Sequence, residues 1–249
     1  MQCILTDVTS SRKNKISLTD YDYQKDIQNR LLVANLREEE RDVLEEILYS
    51  PLHMTIADLA SRLGMRLDLL TQTLHKLLPS GLCTIQGSHI TIHKEMRKYF
   101  EIHMQRFDND FRPYMEFIQS LLKKPPIHVL PIWYAVPRTA DNIFHSLIER
   151  HFKTPLHFQR YIADLHFGEP VLQQIIHDVF SSEELERPAS WIIAKYALTK
   201  ELFEEYMLHL EFNFVCCLRY KRGLSGWEEI VTPFHEWMEY LRFIRSTEL

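Results

Sequence analysis

Two short helical periods joined by a glycine, followed at once by two alternating runs joined by Gly-Ser, constrain residues 55–96 more than any other part of the chain. Thr55 is a good N-cap type for a helix over Ile56 to Leu63, because its hydroxyl can accept from an unpaired backbone N–H of the first turn. Gly64 then supplies a tight turn, since it takes positive φ without a Cβ clash. The next period turns Leu67, Leu70, Leu74 and Leu77 inward, and Ser80-Gly81 stops it. Leu82 to Gln86 and His89 to His93 alternate around Gly87-Ser88, which predicts a hairpin. Upstream, residues 36–49 place Leu36, Val43, Leu44, Ile47 and Leu48 on one helical face. Glu38 to Glu40 suit the positive end of that helix, and Ser50-Pro51 ends it.

Ile56, Leu59-Ala60, Leu63-Gly64, Leu70, Leu74, Leu77 and Gly81-Leu82 stand in an order that resembles the winged-helix superfamily over residues 37–96. The resemblance implies a mainly α fold with small β-hairpin wings. It implies either of two functions, because winged helices serve as DNA readers and as protein adaptors. In the readers, the second helix of the helix-turn-helix enters the major groove and the wing meets the backbone.

A second, weaker copy lies near the C-terminus. Residues 170–180 repeat the first helix, and Ile193-Ala194 and Ala197 stand where Leu59-Ala60 and Leu63 stood. With one residue removed at the turn, Phe203 pairs with Leu70, Met207 with Leu74, Leu210 with Leu77 and Val215-Cys216 with Leu82-Cys83. A hairpin over Phe214–Tyr220 and Trp227–Val231 follows. This copy lacks both the turn glycine and the glycine before the strand. The expected organisation is an N-terminal arm over 1–20, a winged-helix unit over 21–96, a helical connector over 97–168 and a second unit over 169–249. Within the connector, the pattern predicts a helix over 94–124 bent at Pro113, an extended apolar segment over 125–137, and helices over 139–152 and 155–166. Tandem winged helices resemble chromosome-segregation adaptors, endosomal sorting subunits, general transcription factors and helicase-associated modules. The chain is assigned to none of them.

The formal net charge of −5 gives no global field that would draw nucleic acid, so any DNA contact must come from a local patch. The candidate partner-binding or DNA-binding residues are Arg66, Thr71, Gln72, His75 and Lys76 on the second helix, and Arg219, Lys221 and Arg222 on the second wing. Arg66 and Gln72 are types that read base edges, and Lys76 a type that meets phosphate. The same residues on a merely solvated face need no ligand. Glu201, Glu204, Glu205 and Glu211 repel phosphate if they line the second copy's corresponding helix, which favours a protein partner there.

No nucleophile elbow, phosphate loop or paired-cysteine zinc spacing occurs, so the expectation is a non-enzymatic protein without cofactor or metal. His145, Glu149 and His151 lie close in sequence, but no further ligand accompanies them. Four cysteines in a chain of this length fit reduced thiols, and no apolar run suits a signal peptide or a membrane span. The expected setting is cytoplasmic, with a protein partner, DNA as the alternative, and a homodimer if DNA is read. Core packing is expected for Trp133, Tyr134, Trp191, Trp227 and Trp237.

Overall fold

The computed structural model describes residues 22–117, 167–223 and 226–247, with a few positions between 154 and 161. The expectations over 1–20, 125–137 and 139–152, and most of those over 155–166, fall outside the described residues. The described part is mainly helical, with two small antiparallel sheets of three strands each. No described helix is long and apolar enough to cross a membrane.

The first half runs α1 (Tyr23–Ala34), α2 (Glu38–Tyr49), β1 (His53–Thr55), α3 (Ile56–Leu63), α4 (Leu67–Leu77), β2 (Cys83–Gln86), β3 (His89–Ile92) and α5 (Lys94–Gln105). Thr55 caps α3 by accepting from the Asp58 N–H, while the Asp58 carboxylate accepts from the Thr55 N–H. Gly64 ends the helix at φ 59°, and the Met65 N–H reaches back to the Ala60 carbonyl at 3.0 Å. The hairpin is joined by β1, which pairs with β3 to give the order β1-β3-β2. The pattern does not announce this third strand, because three residues ending in a helix cap carry too little alternation to register.

The second half repeats this order. It runs α6 (Pro170–Ser181), β4 (Arg187–Pro188), α7 (Ala189–Tyr196), α8 (Lys200–Phe212), β5 (Cys216–Gly223), β6 (Gly226–Pro233) and α9 (His235–Thr247), with strand order β4-β6-β5. The two halves share one unbroken register from the start of α3 to the first hairpin strand, so the residue removed in the sequence comparison is unnecessary. Ile192 stands where Leu59 stands, and Ala197 takes the place of Gly64 rather than that of Leu63. Ala197 adopts φ 51°, and the Leu198 N–H reaches the Ile193 carbonyl at 3.0 Å, the same bond as in the first half. Phe214 likewise takes the place of Gly81, at φ 57° against 78°. Arg62–Glu46 in the first half recurs as Lys195–Asp178 in the second.

Each half has its own apolar cluster. Val43, Leu44, Ile47, Leu59, Leu70, Leu74, Leu82 and Phe100 fill the first, and Ile175, Val179, Ile192, Phe203, Met207, Val215 and Trp237 the second. Burying a leucine fully contributes about 2 kcal/mol, which is why the inward stripes decide the fold. Leu67 departs from expectation: it is 54% exposed, because it opens α4 before the helix turns onto the core. The boundary expected at 96 also moves, since Met96, Tyr99 and Phe100 of α5 belong to the first cluster. The helix expected over 94–124 stops at Gln105. Asp108 accepts from the Asp110 N–H in a local turn, and Pro113 lies beyond the helix rather than bending it.

The halves meet along α1 and α8. Arg30 donates to Glu204 at 2.8 Å and to Glu211 at 2.9 Å, and Arg106 pairs with Glu211 at 2.6 Å. Burial works against the Glu211 charge, but the two guanidiniums outweigh it and hold the carboxyl well below its usual range. Glu229 sits at the edge of this network, where the Tyr220 hydroxyl donates to it at 3.0 Å. Burial first, and the Glu204 charge second, push its carboxyl up to about 8 from an ordinary 4.5.

The turn geometry and the Glu229 carboxyl each make a prediction. Gly64→Ala should destabilise the fold by about 1 kcal/mol through φ alone, because a Cβ there meets nothing within 4 Å, whereas Ala197→Gly should stabilise it by a similar amount. Urea denaturation of both variants reads the opposite signs. For Glu229, the raised carboxyl binds its proton more tightly in the folded chain, so stability falls as pH rises from about 4.5 to about 8. Glu229→Gln should leave stability unchanged at pH near 4 and raise it by at least about 1 kcal/mol above pH 8. Unfolding curves across that range test it.

Candidate partner-binding site

The eight residues singled out in the sequence fall into two groups, one on α4 and one on the second hairpin. Arg66, at the N-cap of α4, is exposed and forms a two-pronged pair with Asp68 at 3.1 and 2.6 Å. The Thr71 hydroxyl donates to the Leu67 carbonyl, which leaves it turned along its own helix. Gln72 and His75 are exposed. Lys76 is engaged in the fold: its ammonium donates to Glu40 at 2.7 Å and to the Asn35 carbonyl at 3.1 Å. It thereby ties α4 to the start of α2 and the end of α1.

Glu40 is only 7% exposed, yet its carboxyl is pulled down to about 2. Burial opposes the charge, and hydrogen bonds from Lys76 and from the Arg37 backbone and side chain overcome that opposition. The α4 surface therefore offers little spare positive charge. What it does offer is apolar: Leu67 and Leu69 stand out at 54% and 43% exposure.

The cations of the second hairpin are paired as well. Arg219 and Lys221 both reach Glu186, and Arg222 reaches Glu38 of α2 at 2.6 Å. The strand that carries them is held from behind, because the Tyr220 N–H donates to the Arg106 carbonyl at 2.9 Å and the Leu218 N–H to Glu211 at 3.1 Å. The four glutamates expected as an acidic face of α8 do not form one. Glu204, Glu205 and Glu211 are buried with the whole run from Phe203 to Phe212, and of the four only Glu201 is exposed. A helix carrying carboxylates can be buried here because Arg30 and Arg106, distant in sequence, supply counter-charge.

Sequence reasoning missed a cleft of about 480 Å³ between the two halves, lined by Arg41, Glu45 and Tyr49 of α2, Glu101, Met104 and Gln105 of α5, Phe107 and Asp108 beyond it, and Trp227 of β6. Phe107 stacks on Tyr220 at 3.9 Å and meets Trp227 edge-on at 5.3 Å. The Arg41 guanidinium lies 4.5 Å over the Trp227 ring. No local signal could have found this cleft, because its walls come from both halves. Core packing holds for Trp237, whereas Trp227 is half-buried in the cleft wall and Trp191 is 40% exposed beside Arg187 and Lys195. Trp133 and Tyr134 lie outside the described residues.

Cys83, Cys216 and Cys217 are buried free thiols, and burial pushes the Cys83 thiol up to about 11. Among the described residues, no three His, Cys, Asp or Glu side chains converge to hold a metal ion. Compared with family models, curated proteins and solved structures, the chain matches none.

The Lys76–Glu40 pair carries a prediction with a defined pH window. A carboxyl whose folded pKa is depressed stabilises the fold above its unfolded value, and that contribution is lost as pH falls from about 4.5 toward about 2. Glu40→Gln should lower stability by about 2 kcal/mol at neutral pH, with the difference shrinking through that acid range. Chemical denaturation at neutral and acid pH checks it.

Proposed function

We propose that this chain is a tandem winged-helix protein that acts as a non-enzymatic adaptor, through protein contacts, in a nucleoprotein setting. The observation that carries the reading is the burial of α8 from Phe203 to Phe212. In a winged helix that reads DNA, the helix in this place lies in the major groove. Here it packs on α1 and is held by Arg30 and Arg106, so it is committed to joining the two halves. The cations of the second hairpin already face carboxylates, Arg219 and Lys221 at Glu186 and Arg222 at Glu38, which weakens the case for a phosphate clamp there.

The first half points the same way. Its α4 presents two exposed leucines beside Gln72 and His75, while Arg66 and Lys76 are already paired. Apolar side chains rimmed by polar ones suit a protein surface better than a phosphate backbone. The alternative, a sequence-specific DNA regulator, rests on the exposure of Arg66, Gln72 and His75 along one helix.

Fluorescence anisotropy of labelled duplex DNA separates the two. The adaptor reading expects no saturable binding at about 150 mM salt, where phosphate contacts that survive must be numerous. Binding that persists at that ionic strength, and weakens in both Arg66→Ala and Gln72→Ala, would overturn it in favour of the regulator.

A further inference from the structure

We infer that the cleft between the two halves is a docking site for an extended segment of a partner protein that carries lysine or arginine; this rests on the partner-binding reading above. Three features of the cleft specify the occupant. The first is charge. Glu45, Glu101 and Asp108 line it from α2, α5 and the following turn, against the single lining cation Arg41. Glu101 is paired with Arg97 and Asp108 accepts from the Asp110 N–H, whereas Glu45 has no partner among the described residues. A positive group entering here gains carboxylate partners and meets no comparable cation in the lining, because Arg41 is only 11% exposed and lies over Trp227.

The second feature is the wall chemistry. Tyr49, Met104, Phe107 and Trp227 give apolar and aromatic surface against which the methylene stem of a lysine or arginine packs while its head stays polar. Arg41 Nη1 and Trp227 Nε1 are buried within that wall, so what it presents to an occupant is carboxylate, apolar and aromatic surface. An anion meets the carboxylates, and a simple inorganic cation gains nothing from the apolar wall.

The third feature is extent. Asp42, Glu45 and Tyr49 are exposed and share one stripe of α2 that leads into the cleft, while Glu38 beyond them is taken by Arg222. From position 42 to 49 the stripe runs about 10 Å at the helical rise, the reach of about three residues of extended chain.

The test uses the full chain and a dye-labelled peptide, Gly-Lys-Gly-Arg-Gly-Lys-Gly, followed by anisotropy at about 150 mM salt. An otherwise identical peptide with glutamate in place of each basic residue is the comparison. The basic peptide should bind, the acidic one should not, and Glu45→Lys and Asp108→Lys should each weaken binding by about tenfold or more. Glu201→Lys, an equal charge change at an exposed position on α8, should leave it within about twofold. Thermal unfolding of the three variants checks that each is folded. No binding of the basic peptide, or equal weakening by Glu201→Lys, would overturn the assignment of this cleft. Such a failure leaves the adaptor reading untouched if duplex DNA also fails to bind, whereas DNA binding at the same salt that weakens in Arg66→Ala and Gln72→Ala overturns that reading separately.

Discussion

Glu211 is fully buried on α8 and takes hydrogen bonds from Arg30, from Arg106 and from the Leu218 N–H. These donors come from α1, from the end of α5 and from β5, so one carboxylate sets the relative position of both halves and of the second hairpin. Removing a single member of such a cluster leaves an uncompensated charge in the interior, at a cost of about 3–5 kcal/mol. The arrangement is thus specific in a way that an apolar seam is not: α8 is held in one register against α1, with Glu204 and Glu211 both opposite Arg30. The character of the surface depends on this. If α8 were free, the second half would present a polar helix. Because it is not, α8 adds almost nothing to the surface of the described residues, whereas α2 and α4 keep exposed side chains such as Glu45, Leu67 and Leu69.

The repeated unit is legible in the sequence where its chemistry is local. Thr55, Gly64, the stripe of Leu70, Leu74 and Leu77, and the Gly87-Ser88 hairpin each act within a few residues, and each lands where the pattern places it. The second copy is legible in its apolar positions, but the sequence comparison misregisters α7 by one residue. A glycine is the expected signal at the turn, and the chain uses Ala197 in the same left-handed conformation, with Phe214 doing so again before β5. An L-residue in that conformation costs energy that neighbouring contacts must offset. For Phe214 those contacts are visible, since its ring is buried and its carbonyl accepts from the Trp237 indole at 2.7 Å.

What is not legible is whatever depends on pairing across the chain. The glutamates of 201–211 read as a repulsive exposed face, because nothing local announces that Arg30 and Arg106 lie opposite them. Lys76 and Arg222 read as spare cations for the same reason, although Glu40 and Glu38 answer them from α2. A charged residue in a sequence shows its sign and not its partner. The cleft is the extreme case, since Trp227 and Phe107 come from opposite halves and meet only when the fold is complete.

The two hairpins show how one local plan can serve different ends. In the first half the strands β2 and β3 have four residues each, and the tip residues Gly87, Ser88 and His89 are exposed. In the second half β5 and β6 have eight each. The extra length carries Tyr220 onto Phe107, places Trp227 beside Arg41 and brings Arg222 to Glu38. Short strands would leave these residues unable to reach the first half. Lengthening the hairpin therefore builds one wall of the cleft and brings the second hairpin against α2 in the same step. A hairpin used in this way stabilises the junction of the halves, and what it loses as an independent arm is recovered as a surface shared between them.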